Sequence, residues 1–254
     1  CRYFNACSDE YEIVFTQNAS GALKLVAESY PFGEGGTYLL SYDNHNSVNG
    51  VREFARSRGA QVIYVPVRQP DLRLDEELIR HHLTCEGNGK PRLFAYPAQS
   101  NFSGVQHPLE WIELAHENGW DVVLDSAAFV PTNRLDLSAV KPDVVPVSFY
   151  KMFGYPTGIG ALIIRREMFS KLRRPWFAGG TITLASVQGE GWYRLADGAA
   201  GYEDGTVDYL GLPAITLGIE HMDSVGISTI HDRVTALAGW LLREMRERRH
   251  SNGA

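Results

Sequence analysis

The chain reads as an α/β protein in three layers, with helices on both faces of a mostly parallel central sheet. Two observations predict this. Short β-rich runs alternate with helical stretches from residue 12 to residue 164, the order that builds parallel strands. Several runs are also continuously apolar, as in Val122-Val123-Leu124 and Ala161-Leu162-Ile163-Ile164. A strand with one wet face alternates polar and apolar residues, whereas a strand covered on both faces does not.

The elements follow in order. Residues 12–15 form a strand and residues 19–30 the helix after it. Residues 37–41 form a strand, 46–58 a helix and 61–65 a strand. Asp75 caps a helix over 75–84, because its carboxylate can accept from the free first-turn amides. A strand over 92–96 leads to a helix over 108–118, with Pro108 in its first turn and Gly119 just past its end. Residues 121–124, 144–148 and 160–164 are strands. Residues 170–212 mix glycine, aromatic and acidic residues without periodicity, and an irregular stretch of that length is functional or mobile. The last helix, over 228–248, carries Ile230, Val234, Leu237, Leu241 and Met245 at helical spacing.

Bulk composition excludes several classes. With 254 residues, 44% hydrophobic and 21% charged, the chain suits one large α/β domain or two small ones. A net charge of −6 and a pI near 5.8 argue against a general nucleic-acid surface. The basic run from Arg243 to His250 suits the C-terminal end of a helix dipole. Cys1, Cys7 and Cys85 form no disulfide framework and no CxxC pair, so a reducing, cytoplasmic setting is expected. No apolar run reaches membrane-spanning length, and no stretch has the layout of a signal peptide. Cys1 stands where Met would begin a chain, so a piece of a longer protein is expected. Asn18-Ala19-Ser20 and Asn101-Phe102-Ser103 match the glycosylation pattern by chance. His81 and His82 point about 100° apart on their helix and lack metal partners at useful spacing. Gly158-Ile159-Gly160 lacks the third glycine of a dinucleotide loop.

Ligands of open α/β sheets sit beyond the C-terminal strand ends, and polar residues gather there. Thr16-Gln17-Asn18-Ala19-Ser20-Gly21 ends a strand and opens a helix. Such a turn can cradle a phosphate, or serve only as an N-cap. His45, just past a strand, can stack on a flat ring or stand as a plain loop histidine. Asn101 can hydrogen-bond a phenolic oxygen or simply turn the chain. Asp125 ends an apolar strand, where a carboxylate needs a partner. A pyridinium N–H would serve; so would helix-cap amides. Lys151 follows the strand 144–148 and precedes a glycine-rich stretch. Partial burial there would lower its pKa, and a neutral amine forms a Schiff base with an aldehyde. Alternatively, Lys151 is a surface lysine at a strand end. Strand aspartate, a further strand and then lysine is the order that a pyridoxal phosphate (PLP) site needs.

Seven stretches carry a resemblance: FTQNASGALKLV, NHNSVNGVREFA, YPAQSNFSG, VVLDSAAFVPTN, VSFYKMFGYPTGIGALI, FAGGTI and YEDGTVDYLGLPAI. Together they resemble the class V aminotransferase family of PLP enzymes, fold type I. Within that family the nearest likeness is to the N-terminal, cysteine-desulfurase-like domain of molybdenum cofactor sulfurases. The resemblance implies a PLP-binding large domain over residues 1–225, short of its N-terminal segment. Residues 226–254 would then be a long helix leading into a truncated C-terminal small domain.

The resemblance also implies roles. Lys151 matches the Schiff-base lysine, Asp125 the partner of the pyridine nitrogen and His45 the ring-stacking histidine. Asn101 matches the asparagine near the phenolic oxygen. Ala19, Ser20 and Ser148 match phosphate-holding positions. Thr206, in Glu203-Asp204-Gly205-Thr206, matches a loop that reaches the phosphate of a neighbouring subunit, which implies a homodimer with shared sites. Two positions depart from iron–sulfur-type desulfurases: Ala128 stands for a cofactor-facing His or Gln, and Tyr150, counted among the cofactor-contacting residues, stands for the His before the lysine. The family's persulfide cysteine and carboxylate-binding arginine match nothing before Ala254. The implied reaction takes sulfur from L-cysteine, leaving alanine, with the molybdenum cofactor as final acceptor. Another class V lyase, aminotransferase or epimerase, or an inactive PLP-fold fragment, are the alternatives.

Overall fold

A computed structural model describes residues 1–189 and 191–249. In chain order the first half contains β1 (Tyr11–Thr16), α1 (Ala19–Ser29), β2 (Thr37–Ser41), α2 (Asn46–Asn49), α3 (Val51–Ser57), β3 (Gln61–Val65), β4 (Val67–Arg68), β5 (Arg73–Leu74), α4 (Glu76–Thr84), β6 (Arg92–Pro97), α5 (Trp111–Glu117) and β7 (Asp121–Asp125). The second half contains β8 (Val144–Ser148), α6 (Phe149–Phe153), β9 (Gly160–Arg165), α7 (Met168–Lys171), β10 (Ile182–Ala185), β11 (Tyr193–Leu195), α8 (Pro213–Val225) and α9 (Ile227–Glu247).

Seven strands form one sheet in the order β1-β9-β8-β7-β6-β2-β3. The β3, β2, β6, β7 and β8 pairings are parallel. Strand β9 runs against both of its neighbours. The mostly parallel sheet expected from the apolar runs is therefore present, with β9 as the one reversed strand. Successive residues point to opposite faces, and two cores result. Leu93, Ala95, Val123 and Leu162 pack with Leu23 and Val26 of α1 and Ala55 of α3. Phe94, Tyr96, Val122 and Leu124 pack with Ile79 of α4 and with Trp111 and Ile112 of α5. Helices thus cover both faces, which completes the three layers.

Local chemistry explains the helix that matters most. Asn18 stands extended at the start of α1, and its side-chain oxygen accepts from Gly21 N at 2.9 Å. Ala22, Leu23, Val26 and Ala27 then bury one face. Pro31 disfavours a helical Tyr30, and the helix stops there.

Several expected boundaries move. The helix over 46–58 divides at Gly50, where the ladder tightens and the Glu53 amide meets Gly50 O at 3.1 Å. The helix expected from residue 108 starts at Trp111. The irregular stretch contains the antiparallel β10–β11 ribbon. Helix α8 went unforeseen although Pro213 marks its first turn. Helix α9 buries no residue, and its apolar stripe is exposed at Val234, Leu237, Trp240, Leu241 and Met245. Gly226, at φ 86, separates α8 from α9. Among the described residues no helix is long and apolar enough to cross a membrane, and no cluster of side chains could hold a metal ion. His250 falls outside the described residues.

Candidate active site

The sheet register brings distant residues to one end. Thr16 and Ser148 both pair with Gly160, and Pro97 pairs with Asp125. The loops leaving β1, β2, β6, β7 and β8 therefore open on the same side, where they enclose a pocket of about 150 Å³. Ala19, Ser20, His45, Asn101, Asp125, Ser148, Tyr150 and Lys151 all line it. Thr206 does not. It lines a second pocket with Thr16, Gln17 and Gly21, on the other side of the turn that opens α1.

One wall is the N-terminus of α1. Ala19 N donates to Ser148 Oγ at 2.9 Å, tying the helix start to the end of β8. Ser20 and Ser47 hydroxyls lie 2.6 Å apart. Ala19 N and Gly21 N already have partners in Ser148 and Asn18, so the aligned peptide dipoles and the Ser20 and Ser148 hydroxyls are what make this wall attractive to an anion. Gly160 permits the arrangement. A Cβ there would lie 2.5 Å from Asn18 Cα and 2.6 Å from Val147 O, so only glycine lets β9 pass beneath the turn.

The opposite wall carries Asp125. Its Oδ1 accepts from Ala127 N at 3.0 Å, and the residue is 7% exposed. Burial pushes its carboxyl above the usual carboxylate range, against the pull of the Ala127 amide and the charges of Lys151 and His45. A cationic N–H placed in the pocket would relieve that burial. His45 Nδ1 accepts from Ser47 N at 3.1 Å, so in the neutral ring Nε2 carries the proton. Asn101 is exposed on a turn braced by Ser100, whose Oγ accepts from Phe102 N and Ser103 N.

Lys151 corrects one expectation. It is exposed, not partly buried. It lies on α6, a short helix that begins right after β8, and only Phe149 of that helix is buried. Gly154, at φ 82, ends the helix in the left-handed region. The amine thus stands in a polar, open mouth and acts on Asp125 through its charge. Ala128 also lines the pocket, and Tyr150 is 40% exposed beside the lysine. Gln99, Asn18 and Ser47 line it too and were not singled out from the sequence. Their places beside Asn101, Ala19 and His45 were the available signal.

The family model for class V aminotransferases matches residues 1–252. The chain belongs to the class V aminotransferase family. It is 33% identical over 280 residues to a molybdenum cofactor sulfurase of Solanum lycopersicum, covering 99% of this chain and 34% of that protein. It is 36% identical over 272 residues to the human molybdenum cofactor sulfurase, covering 99% of this chain and 30% of that protein. The chain therefore spans about a third of the length of the curated relatives it matches. Among solved structures it is similar to an apo cysteine desulfurase of Thermococcus onnurineus, with a TM-score of 0.85 and 27% identity over 97% of this chain and 60% of that one. A cysteine desulfurase of Escherichia coli, with a TM-score of 0.82 and 22% identity over 93% of this chain and 58% of that one, shares the fold.

Proposed function

We propose that the pocket around Lys151 binds PLP, and that the chain is the cofactor domain of a cysteine desulfurase-like sulfurtransferase of the molybdenum cofactor sulfurase kind. One observation carries this reading: Lys151, the buried carboxylate of Asp125 and the N-terminal residues Ala19 and Ser20 of α1 line a single pocket. The donors and acceptors fit the cofactor. The N-terminal end of the α1 dipole with the Ser20 and Ser148 hydroxyls suits its phosphate, and Asp125 suits its ring nitrogen. His45 suits stacking on the ring, Asn101 and Tyr150 line the remaining rim, and Lys151 suits the aldehyde. When bound, PLP draws electrons away from the Cα of an amino-acid substrate.

The chain's own groups then have distinct tasks. Burial disfavours the charge of Asp125, and a protonated nitrogen placed against it would stabilise that charge. Lys151 Nζ, at the pocket mouth, takes a proton from the substrate Cα and returns it. His45, held by Ser47 N, presents its Nε2–H and a flat face. The substrate is L-cysteine, whose sulfur leaves as a persulfide on a protein cysteine while alanine departs. Cys1, Cys7 and Cys85 are exposed and lie outside the pocket, and the persulfide is assigned to none of them. The molybdenum cofactor is the final acceptor. A homodimer in which the Thr206 loop approaches the partner's phosphate completes the reading.

The test is to purify the protein with PLP, record the visible spectrum, add L-cysteine, and assay alanine and sulfide. A coloured protein that releases alanine once dithiothreitol is supplied as the thiol that accepts the sulfur, and a colourless Lys151→Ala variant, are expected. A wild-type protein that stays colourless in excess PLP overturns the proposal. Colour without alanine, but with turnover of another amino acid, points to a different class V reaction.

A further inference from the structure

Two loops present polar side chains to the pocket from neighbouring strand ends. The loop from β2 to α2 carries His45, and the connection from β6 to α5 carries Asn101. Between them lies a buried pair that the proposed chemistry does not use. His107 Nε2 lies 2.7 Å from Asp43 Oδ2, with side chains 2% and 4% exposed. Neither residue lines the pocket.

The pair is anchored on both sides. Ser41 Oγ donates to Asp43 Oδ1 at 2.7 Å. Asn44 Nδ2, on the next residue, donates to Ala95 O at 3.0 Å and so fixes this loop to β6. His107 N donates to Ala98 O at 3.1 Å, and its ring stacks on Trp111 with centroids 5.9 Å apart. Ser100 Oγ donates to the backbone oxygen of Asp43 at 3.4 Å and also braces the Asn101 turn. Burial works to raise the Asp43 carboxyl, but the hydrogen bonds from His107, Ser41 and Ser100 and the His107 charge together hold it below the usual range. A carboxylate buried this deeply depends on its partner. Asp43 is two residues from His45, and Asn101 lies between Ser100 and His107.

We infer that Asp43 and His107 form a positioning clamp, which holds the two loops together so that His45 and Asn101 face the pocket in fixed register. The inference rests on the pocket being the PLP site. His107→Leu removes the donor to Asp43. His107→Gln puts an amide N–H near the place of Nε2. Amide hydrogen exchange of residues 43–49 and 99–106, read before PLP is added, reports the clamp itself. PLP titration and the visible band of the loaded protein then report its effect on the pocket.

In His107→Leu, exchange is expected to rise about tenfold in both segments together, with β1 and β9 unchanged. PLP is expected to bind about tenfold more weakly, with a displaced band, and His107→Gln restores both. Should His107→Leu fail to fold, Ser100→Ala cuts the link to Asp43 O along with the brace on the Asn101 turn, and a rise of about threefold in residues 43–49, which that brace does not touch, is expected beside the rise in 99–106. A rise in one segment alone, or spread evenly over the sheet, overturns the clamp. So does unchanged PLP affinity in His107→Leu. A wild-type protein that takes up no PLP overturns the pocket reading and this use of the clamp with it, and the exchange data separate that failure from loops that were never joined.

Discussion

Gly160→Ala tests how the fold makes the pocket. The added Cβ would sit 2.5 Å from Asn18 Cα, 2.6 Å from Val147 O and 2.7 Å from Asn18 C. Ordinary contact begins near 3.4 Å, so the backbone must move by about 0.9 Å, the difference between those distances. All three neighbours are backbone atoms, and no side chain can swing aside. Overpacking of this kind costs about 1–3 kcal/mol, and the upper end is expected because β9 is held between β1 and β8. The movement falls on the turn that opens α1, which is the proposed phosphate wall. A displacement of about 1 Å in a positioned site costs on the order of a hundredfold. Urea unfolding and PLP titration measure the two effects separately. A Gly160→Ala protein with stability within about 0.5 kcal/mol of wild type and PLP affinity within about twofold would refute the reasoning.

Asp125→Asn should separate stability from chemistry. Burial raises the folded-state pKa of Asp125, so the native state holds more protons than the unfolded one from about pH 4 upward. Stability of the cofactor-free protein therefore falls as pH rises through that window, and the loss is complete above the folded pKa. The asparagine variant lacks this fall while losing turnover with PLP bound; equal pH dependence of the two urea midpoints would count against the assignment. Asn18→Ala removes the acceptor for Gly21 N and should cost about 1 kcal/mol. A calorimetric midpoint that does not move would show that Asn18 does not cap α1.

The sheet was legible because burial on both faces forces apolar strands, and β6, β7 and β8 show those runs directly. Asp125 was legible for a related reason, since a carboxylate closing an apolar strand needs a partner. His45 and Asn101 were found by position at strand ends and Ser148 through the family resemblance, and the pocket brings the three together. The exposure of Lys151 was not legible. It depends on where α6 begins, and Phe149, not Lys151, supplies that helix with its buried contact. The part played by Gly160 was hidden too, because its contact with Asn18 joins residues far apart in sequence. The Gly158-Ile159-Gly160 stretch was rightly set aside as a dinucleotide loop, and of its two glycines only Gly160 is closely packed. The clamp of Asp43 and His107 spans 64 residues, and neither residue stands out from its own neighbours in the sequence. Thr206 lines the pocket beside the α1 turn, and its match, to a loop that serves a neighbouring subunit's site, does not require it to line the pocket of its own chain.

The most direct measurement of the PLP assignment is to load the protein with PLP, reduce it with borohydride, digest it, and identify the labelled peptide by mass spectrometry. Reduction fixes the cofactor covalently to whichever amine holds it. A label on Lys151 alone is the expected result. A label on Lys24, Lys90, Lys141 or Lys171, or no label at all, would contradict it.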